Sequence, residues 1–494
     1  MSGDDPDAVV VGSGPNGLAA AVTLAAAGLR VQVFEGATTV GGGCRTEALT
    51  LPGFAHDVCS AVHPLAIASP FFRRFDLRSR GVQLAWPEVQ FAHPLDDGRA
   101  GVVLKSVADT AAGLGGDGPA YRRLLRPIVD HPDDVVDAVL SSLRRLPPHS
   151  PRLAGFALRS LRTARGLARR FHGDEARGLL AGVAAHAMLP LDRLPTGAVG
   201  LMLGGLAHTA GWPVVVGGSA QITAAMVDAI ESAGGEVVTG QWIGSLAELP
   251  RARAILLDVT PRALLGIAGD RLPVGYRRAL ARFRYGPGVC KVDYALSGPV
   301  PWTAEACRRA GTVHLGGTFE EVAAGETEVA AGRHPDAPYV LVAQPGVADP
   351  SRAPGGKDTL WAYCHVPSGS TVDMSDRIEA QLERFAPGFR DLVLGRSVRT
   401  AADEEAANPN YVGGDIGAGL QSLRQTVFRP VPRWNPYRTP LPGVYLCSSS
   451  TPPAPGVHGR CGELAALSAL RREFDVRHVP DIAPAADVLG GAAR

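Results

Sequence analysis

The chain has 494 residues, 46% of them apolar and 20% charged, with a net charge of +1. That length buries a large core and exceeds one compact unit, so two interwoven domains are expected. The near-neutral balance excludes nucleic acid as a partner recognised by bulk charge. Only Lys105, Lys291 and Lys357 among the 49 basic residues are lysines, so each is a better candidate than an arginine for a task that needs a compact ammonium. The seven cysteines are scattered without a CxxC pair, which fits reduced thiols in a cytosolic protein and not a zinc or dithiol motif. The polar, acidic start shows no secretory signal.

In chain order, the first fifty residues follow a strand–turn–helix–strand plan. Residues 8–11 form a continuous apolar strand, Gly12 to Gly17 the turn, 18–27 an alanine-rich helix ended by Gly28, and 30–34 a second strand. Such a unit implies a parallel sheet with a right-handed crossover. From Asp117 to about His208 the sequence reads as helical, punctuated by Pro127, Pro132, Pro147, Pro148, Pro151 and Pro190. Within it Arg152, Arg159, Arg162, Arg165, Arg169 and Arg170 recur along one predicted helix, 151–171, opposite Leu153, Phe156, Leu161 and Leu167. A solvated face is the first reading of that stripe, and a peripheral contact with an anionic membrane the second. The run 198–218 contains His208, Thr209 and Pro213 and reads as a buried helix and turn, not a membrane span. Beyond it come a helix ending over 226–233 and strands at 236–239 and 254–259. Alternating strands at 289–296, 339–343 and 359–365 predict a second, antiparallel sheet. A strand at 445–448 and a helix over 463–474 precede a tail of little periodicity.

Gly12-Ser13-Gly14-Pro15-Asn16-Gly17 is a GxGxxG turn between strand and helix. Gly12 permits the tight turn, Gly14 lets backbone approach a pyrophosphate, and Gly17 allows close helix–strand packing, with the helix N-terminus facing the phosphates. Glu35, at the end of the second strand, is placed to accept hydrogen bonds from ribose hydroxyls. The next block, Gly41-Gly42-Gly43-Cys44-Arg45-Thr46, offers glycines for a second close approach of backbone to cofactor and a hydroxyl on Thr46. No second GxGxxG directly between an apolar strand and a helix follows, which argues against a dedicated NAD(P)H site. There is no HxH, HExxH or GxSxG, so neither a metal nor a serine nucleophile is expected.

The 41–46 block resembles the GG-x-x-x-T element of the amine-oxidase/phytoene-desaturase superfamily. Gly41 to Glu47 followed by Pro52-Gly53-Phe54 is most similar to the phytoene-dehydrogenase-like branch that includes the pyridine nucleotide-disulphide oxidoreductase domain proteins. Two further segments carry the resemblance. One is Trp212 to Gln221 leading to Gly234-Gly235-Glu236-Val237-Val238; the other joins Gly443 to Thr451 with Pro455 to Gly462. The missing cysteine pair removes disulphide reduction from the readings that branch name suggests.

The resemblance implies an α/β fold: a glutathione-reductase-like, Rossmann-type FAD domain interwoven with a substrate domain of antiparallel sheet plus a helical lid. The FAD domain would comprise 1–75, 212–275 and 430–475, with the helical part of the substrate domain at 76–211, its sheet part at 276–429 and a tail at 476–494. It implies FAD held by Gly12, Gly14, Pro15, Asn16, Gly17, Glu35, Gly41, Gly42, Gly43, Arg45, Thr46 and Val238, and near the C-terminus by Ser449, Ser450, Gly456, Val457 and His458. Lys291 corresponds to a lysine that holds water against flavin N5 in many amine oxidases, with an ion pair to Asp293 as its other reading. His63, His458 and His365 are the remaining catalytic candidates, and Tyr411 a candidate cavity wall. The expected reaction is hydride transfer from a substrate carbon to flavin N5, forming C=C on an apolar or polyene-like substrate, with oxygen or a quinone as acceptor. A flavin amine oxidase, a redox-neutral FAD-dependent isomerase and a non-catalytic FAD-binding interaction protein are the alternatives. The expected location is cytoplasmic, with membrane association through 151–171 as a further expectation.

Overall fold

The structure, a computed structural model, describes residues 5–141, 150–453 and 455–484. Pro147, Pro148 and the last ten residues of the expected tail lie outside the described residues. The first strand, Ala8–Val11, has the bounds expected from its unbroken apolar run, and the helix Pro15–Ala25 begins on a proline whose missing N–H is of no consequence at that position. Residues 16–25 are buried on every side, which small alanines permit. One side meets the sheet and the other the helix Arg460–Glu473. A methyl group on Gly462 would lie 1.7 Å from the Asn16 carbonyl oxygen, so the two helices touch through backbone. The sheet beneath is parallel, in the order Val444–Leu446, Ala254–Leu257, Ala8–Val11, Val31–Phe34, Glu236–Val238. This is the expected Rossmann layer, assembled from three separate stretches of chain.

The second sheet has seven strands: Val393–Arg399, Gly288–Leu296, Asp358–Val366, Val340–Ala343, Thr312–Leu315, Val89–Pro94 and Ala100–Leu104. Its pairings are antiparallel except where Thr312–Leu315 meets Val89–Pro94. The strands at 289–296, 339–343 and 359–365 were legible from alternation; the other four were not. Two of them lie within 76–211, so that stretch is not wholly helical and supplies one edge of the sheet. Alternation assigns the two faces. Cys290, Val292 and Tyr294 pack with Trp302 and Phe385, whereas Val289, Leu341, Trp361 and Tyr363 face the helical layer.

That layer contains Gly118–Asp130, Pro132–Val139, Asp174–Ala185 and Thr196–His208, the last being the buried helix expected within 198–218. Among the described residues no helix is long and apolar enough to cross a membrane. The single basic helix expected over 151–171 is two, Ser150–Ser160 and Ala164–Ala168. The break falls at Thr163, whose Oγ1 accepts the Gly166 N–H at 3.1 Å and so starts a new helix. Three of its arginines are engaged locally: Arg152 pairs with Asp134, Arg159 binds the Gly155 and Arg123 carbonyls, and Arg165 lies over the Phe319 ring.

One buried cation ties the layers together. The Arg352 guanidinium is fully buried; it donates to Asp57 at 2.9 Å, Asp349 at 2.7 Å and the Val215 carbonyl at 2.8 Å. Asp57 in turn accepts from Thr46 Oγ1 and from the Ser219 N–H, both at 2.8 Å. Removing the cation would strand two buried carboxylates. Arg352→Met is therefore expected to lose about 3–5 kcal/mol of stability, measured by urea unfolding; a loss below about 1 kcal/mol would show that the network carries no such load.

Candidate functional site

The site begins at the first turn. Gly12 has φ +97°, and a methyl group on Gly17 would stand 2.0 Å from the Gly12 carbonyl oxygen, so both positions require glycine. Glu35 binds this turn directly: its Oε2 accepts from the Ser13 N–H at 2.8 Å and from Ser13 Oγ at 2.6 Å, while Oε1 accepts the Ala37 N–H at 2.8 Å. Acceptor capacity remains on Oε1 for a sugar hydroxyl. The second glycine turn lies against the first, since a methyl group on Gly42 would meet Gly14 Cα at 3.2 Å. Gly43 is equally constrained, by Tyr411 Oη at 2.4 Å from the same imagined atom.

Asp258, which sequence reasoning missed, follows the strand Ala254–Leu257 and closes this cradle. Its Oδ2 accepts the Gly17 N–H at 2.9 Å and would lie 2.8 Å from a Cβ on Gly14. Burial, reinforced by the neighbouring Glu35 charge, pushes its carboxyl up to about 7 against the opposing pull of the Gly17 N–H. The signal available in sequence was an acid just past an apolar strand, the same one that marked Glu35.

From the cradle a cavity of about 1400 Å³ runs between the helical layer and the inner face of the second sheet. Ordinary ligand clefts hold roughly 300–1,000 Å³, so this one has room for a dinucleotide and a second molecule. Gly12, Gly14, Pro15, Asn16 and Glu35 line it, as do Gly42, Gly43 and Arg45 from the second turn. Ser449, Gly456 and Val457 line it from the C-terminal segment. Asn16 joins the two cofactor segments by donating to Ser449 Oγ at 3.1 Å, and its Oδ1 is buried without a partner. A glycine cradle at a helix N-terminus, a ribose-binding acid and an unpaired amide oxygen fit FAD.

Several expected residues stand elsewhere. Gly17 and Gly41 sit behind the lining and serve packing, Gly41 with φ +117°. Thr46 is not a cofactor donor in this structure: its hydroxyl donates to Asp57 and accepts the Ala220 N–H at 3.1 Å. Val238 pairs with Phe34 in the sheet, and Ser450 Oγ donates to the Ala418 carbonyl at 2.8 Å; neither reaches the cavity. His458 is fully buried off the cavity, its Nδ1 accepting the Arg460 N–H at 3.1 Å at the start of the last helix. His365 also fails to reach the cavity, because Nδ1 is bound to Glu326 at 2.8 Å and the Tyr339 and Tyr363 rings flank it. Lys291 lies on the cavity-side face of its strand, but its ammonium donates to both oxygens of Asp293, at 2.6 and 2.5 Å, from behind Trp361. The ion pair, not a position on the cavity wall, describes it.

His63 does line the cavity. Ser219 Oγ gives its one hydrogen to the Ser60 carbonyl at 2.5 Å, so His63 Nε2 must donate to Ser219 at 2.8 Å. Its Nδ1 is then a bare acceptor, buried and unpartnered. Burial lowers this imidazole to about 4, so it is neutral at ordinary pH. His186, Thr312, Trp361 and Tyr363 also line the cavity and were not singled out as cavity residues from sequence; they converge from three segments, Trp361 and Tyr363 sharing one strand. Among the described residues no cluster of histidine, cysteine or carboxylate ligands is suited to a metal.

Residues 10–75 match the family described as NAD(P)-binding Rossmann-like domain. A mouse protein, pyridine nucleotide-disulfide oxidoreductase domain-containing protein 2, is 26% identical, covering 94% of this chain and 93% of its own length. The 4,4'-diapolycopen-4-al dehydrogenase of Metabacillus indicus is 31% identical over 25% of this chain and 26% of its own. Among solved structures, putrescine oxidase bound to putrescine superposes with a TM-score of 0.59 at 19% identity, covering 95% of this chain and 98% of that one; it shares the fold.

Gly14→Val is expected to yield protein without flavin, because a branched side chain would occupy the pyrophosphate's approach; full occupancy in its absorption spectrum would refute the site. FAD affinity is expected to fall as pH rises past about 7, where Asp258 ionises beside Gly14. The bound anion would raise that carboxyl further and so spread the loss to higher pH. Fluorescence titrations of flavin-free protein should show this decline, and Asp258→Asn should flatten it; parallel profiles would contradict the assignment.

Proposed function

We propose that this chain, which belongs to the FAD-dependent amine-oxidase/phytoene-desaturase superfamily, desaturates an apolar, polyene-like substrate. The supporting observation is the distribution of charge around the cavity. Its lining carboxylates are Glu35 and Asp258, both at the dinucleotide end. The remainder is walled by side chains such as Leu140, Phe156, Val199, Met202, Trp361 and Tyr363. A cationic amine held there would lack a counter-charge, and a desolvated ammonium without one is strongly disfavoured. This favours the apolar substrate over the amine, although an amine-oxidising neighbour shares the fold. The name of the Metabacillus indicus relative, a dehydrogenase of a polyene aldehyde, points the same way.

FAD, when bound, supplies the hydride acceptor, and oxygen or a quinone then takes the electrons. The chain's own residues position the carbon, keep out water and take a proton. Forming C=C requires one carbon to lose hydride and its neighbour to lose a proton. His63, which lines the cavity and whose buried Nδ1 has no hydrogen-bond partner, is the base we assign to that proton. Its lowered basicity suffices, because loss of hydride beside a polyene makes the adjacent C–H acidic. Leu161 both lines the cavity and is 66% exposed, which places an apolar mouth on the helical side.

Anaerobic addition of polyenes to the flavin-loaded protein should bleach its visible absorption, whereas putrescine should not. Bleaching by amines alone would favour the amine-oxidase reading, and turnover without bleaching or acceptor consumption the isomerase. His63→Gln, which can still bond to Ser219, should retain FAD and slow bleaching by about 10²-fold or more; an unchanged rate would remove His63 from the mechanism.

A further inference from the structure

The dinucleotide end of the cavity carries a large aromatic side chain that the core does not claim. Trp242 lines the cavity and is 64% exposed. Trp434 is more exposed still, at 82%, but is not part of the cavity lining. A single exposed apolar residue is ordinary; what sets Trp242 apart is how firmly its backbone is held. The Gly240 N–H donates to the Ala37 carbonyl at 2.8 Å, and the Gln241 N–H to the Glu35 carbonyl at 2.9 Å. On the other side Ile243 is buried with Phe34 and Leu257, and the Gly244 N–H donates to Glu248 at 3.1 Å. The stretch 240–244 is thus fixed on both sides of an indole that stays in the open.

The indole also has a defined place. A methyl group on Gly36 would meet its Cε3 at 2.7 Å and its Cζ3 at 3.4 Å, so the ring rests on the backbone directly after Glu35. In a turn of this type the pyrophosphate lies at the glycines and the adenosine ribose at the acid that ends the second strand. The base hangs from that ribose, and the surface beside Glu35 consists of Gly36, Ala37, Gln241 and Trp242, all of which line the cavity. Adenine is flat and uncharged, and an aromatic ring binds such a face by stacking, without a counter-charge.

We infer that Trp242 stacks on the adenine of FAD and holds the adenosine end of the cofactor. The glycine turn and Glu35 serve phosphate and ribose; Trp242 adds a hold on the base, and its ring leaves solvent when the cofactor binds. The inference rests on the FAD site described above and is independent of the substrate reading.

Titration of flavin-free protein with FAD and with ADP, followed by fluorescence, tests this apart from turnover. ADP, which has no flavin, should quench tryptophan emission in the parent protein, and Trp242→Phe should lose most of that quenching. Trp242→Ala should weaken FAD and ADP alike by about tenfold or more, and Trp242→Phe by less than about threefold. At saturating FAD the visible circular dichroism of the flavin should be the same in both variants as in the parent, which a general disturbance of the site would not allow. Parent emission untouched by ADP, unchanged affinities in Trp242→Ala, or a loss for FAD that ADP does not share would overturn the inference. The two readings fail separately. Tight FAD binding that is indifferent to residue 242 would remove Trp242 alone, whereas failure of the parent to bind FAD would remove the cofactor site and this inference with it.

Discussion

Backbone-to-backbone contact at the first turn sets the rest of the architecture. The helix Pro15–Ala25 approaches the strand before it and the helix Arg460–Glu473 so closely that no side chain fits at Gly17 or Gly462. That proximity brings the start of the chain and its C-terminal segment to one place, where Asn16 bonds to Ser449. It also aims a helix N-terminus into the cavity while Glu35 and Asp258 hold the turn from two sides. A cofactor with two widely separated polar regions can be gripped only if these remote segments meet, and glycine is what lets them.

The buried charges divide by task. Arg352 with Asp57 and Asp349, and Lys291 with Asp293, are closed ion pairs whose donors and acceptors face each other. They hold layers together and are removed from chemistry by their own satisfaction. The cavity lining is different in kind: it is mostly apolar, and His63, Thr312 and Trp361 in it each carry a buried polar atom without a partner.

Much of the fold was legible because its signals are local. An unbroken apolar run before a glycine turn marked Ala8–Val11, and alternation marked Gly288–Leu296 and Asp358–Val366. Val89–Pro94 escaped notice because Gln90 and His93 interrupt the pattern. Both are buried and bonded to distant groups, Gln90 accepting the Trp212 N–H at 2.7 Å and His93 Nε2 donating to the Gly317 carbonyl at 2.6 Å. The glycines and Glu35 could be read because the dinucleotide turn is one continuous segment. Asp258 carries the same local mark, an acid just past an apolar strand, but nothing in sequence relates it to Gly14. Lys291 shows the limit of analogy: alternation put Asp293 on its face, and the structure shows that the neighbour claims the ammonium.

The central claim is that hydride and proton leave adjacent carbons of an apolar substrate. A single anaerobic turnover, with flavin-loaded protein in excess over a polyene and the product examined by mass spectrometry, tests it most directly. The account predicts a product lighter by two hydrogens, formed one for one with reduced flavin. A product of unchanged mass, or flavin reduced only by compounds whose C–N bond is oxidised, would contradict it.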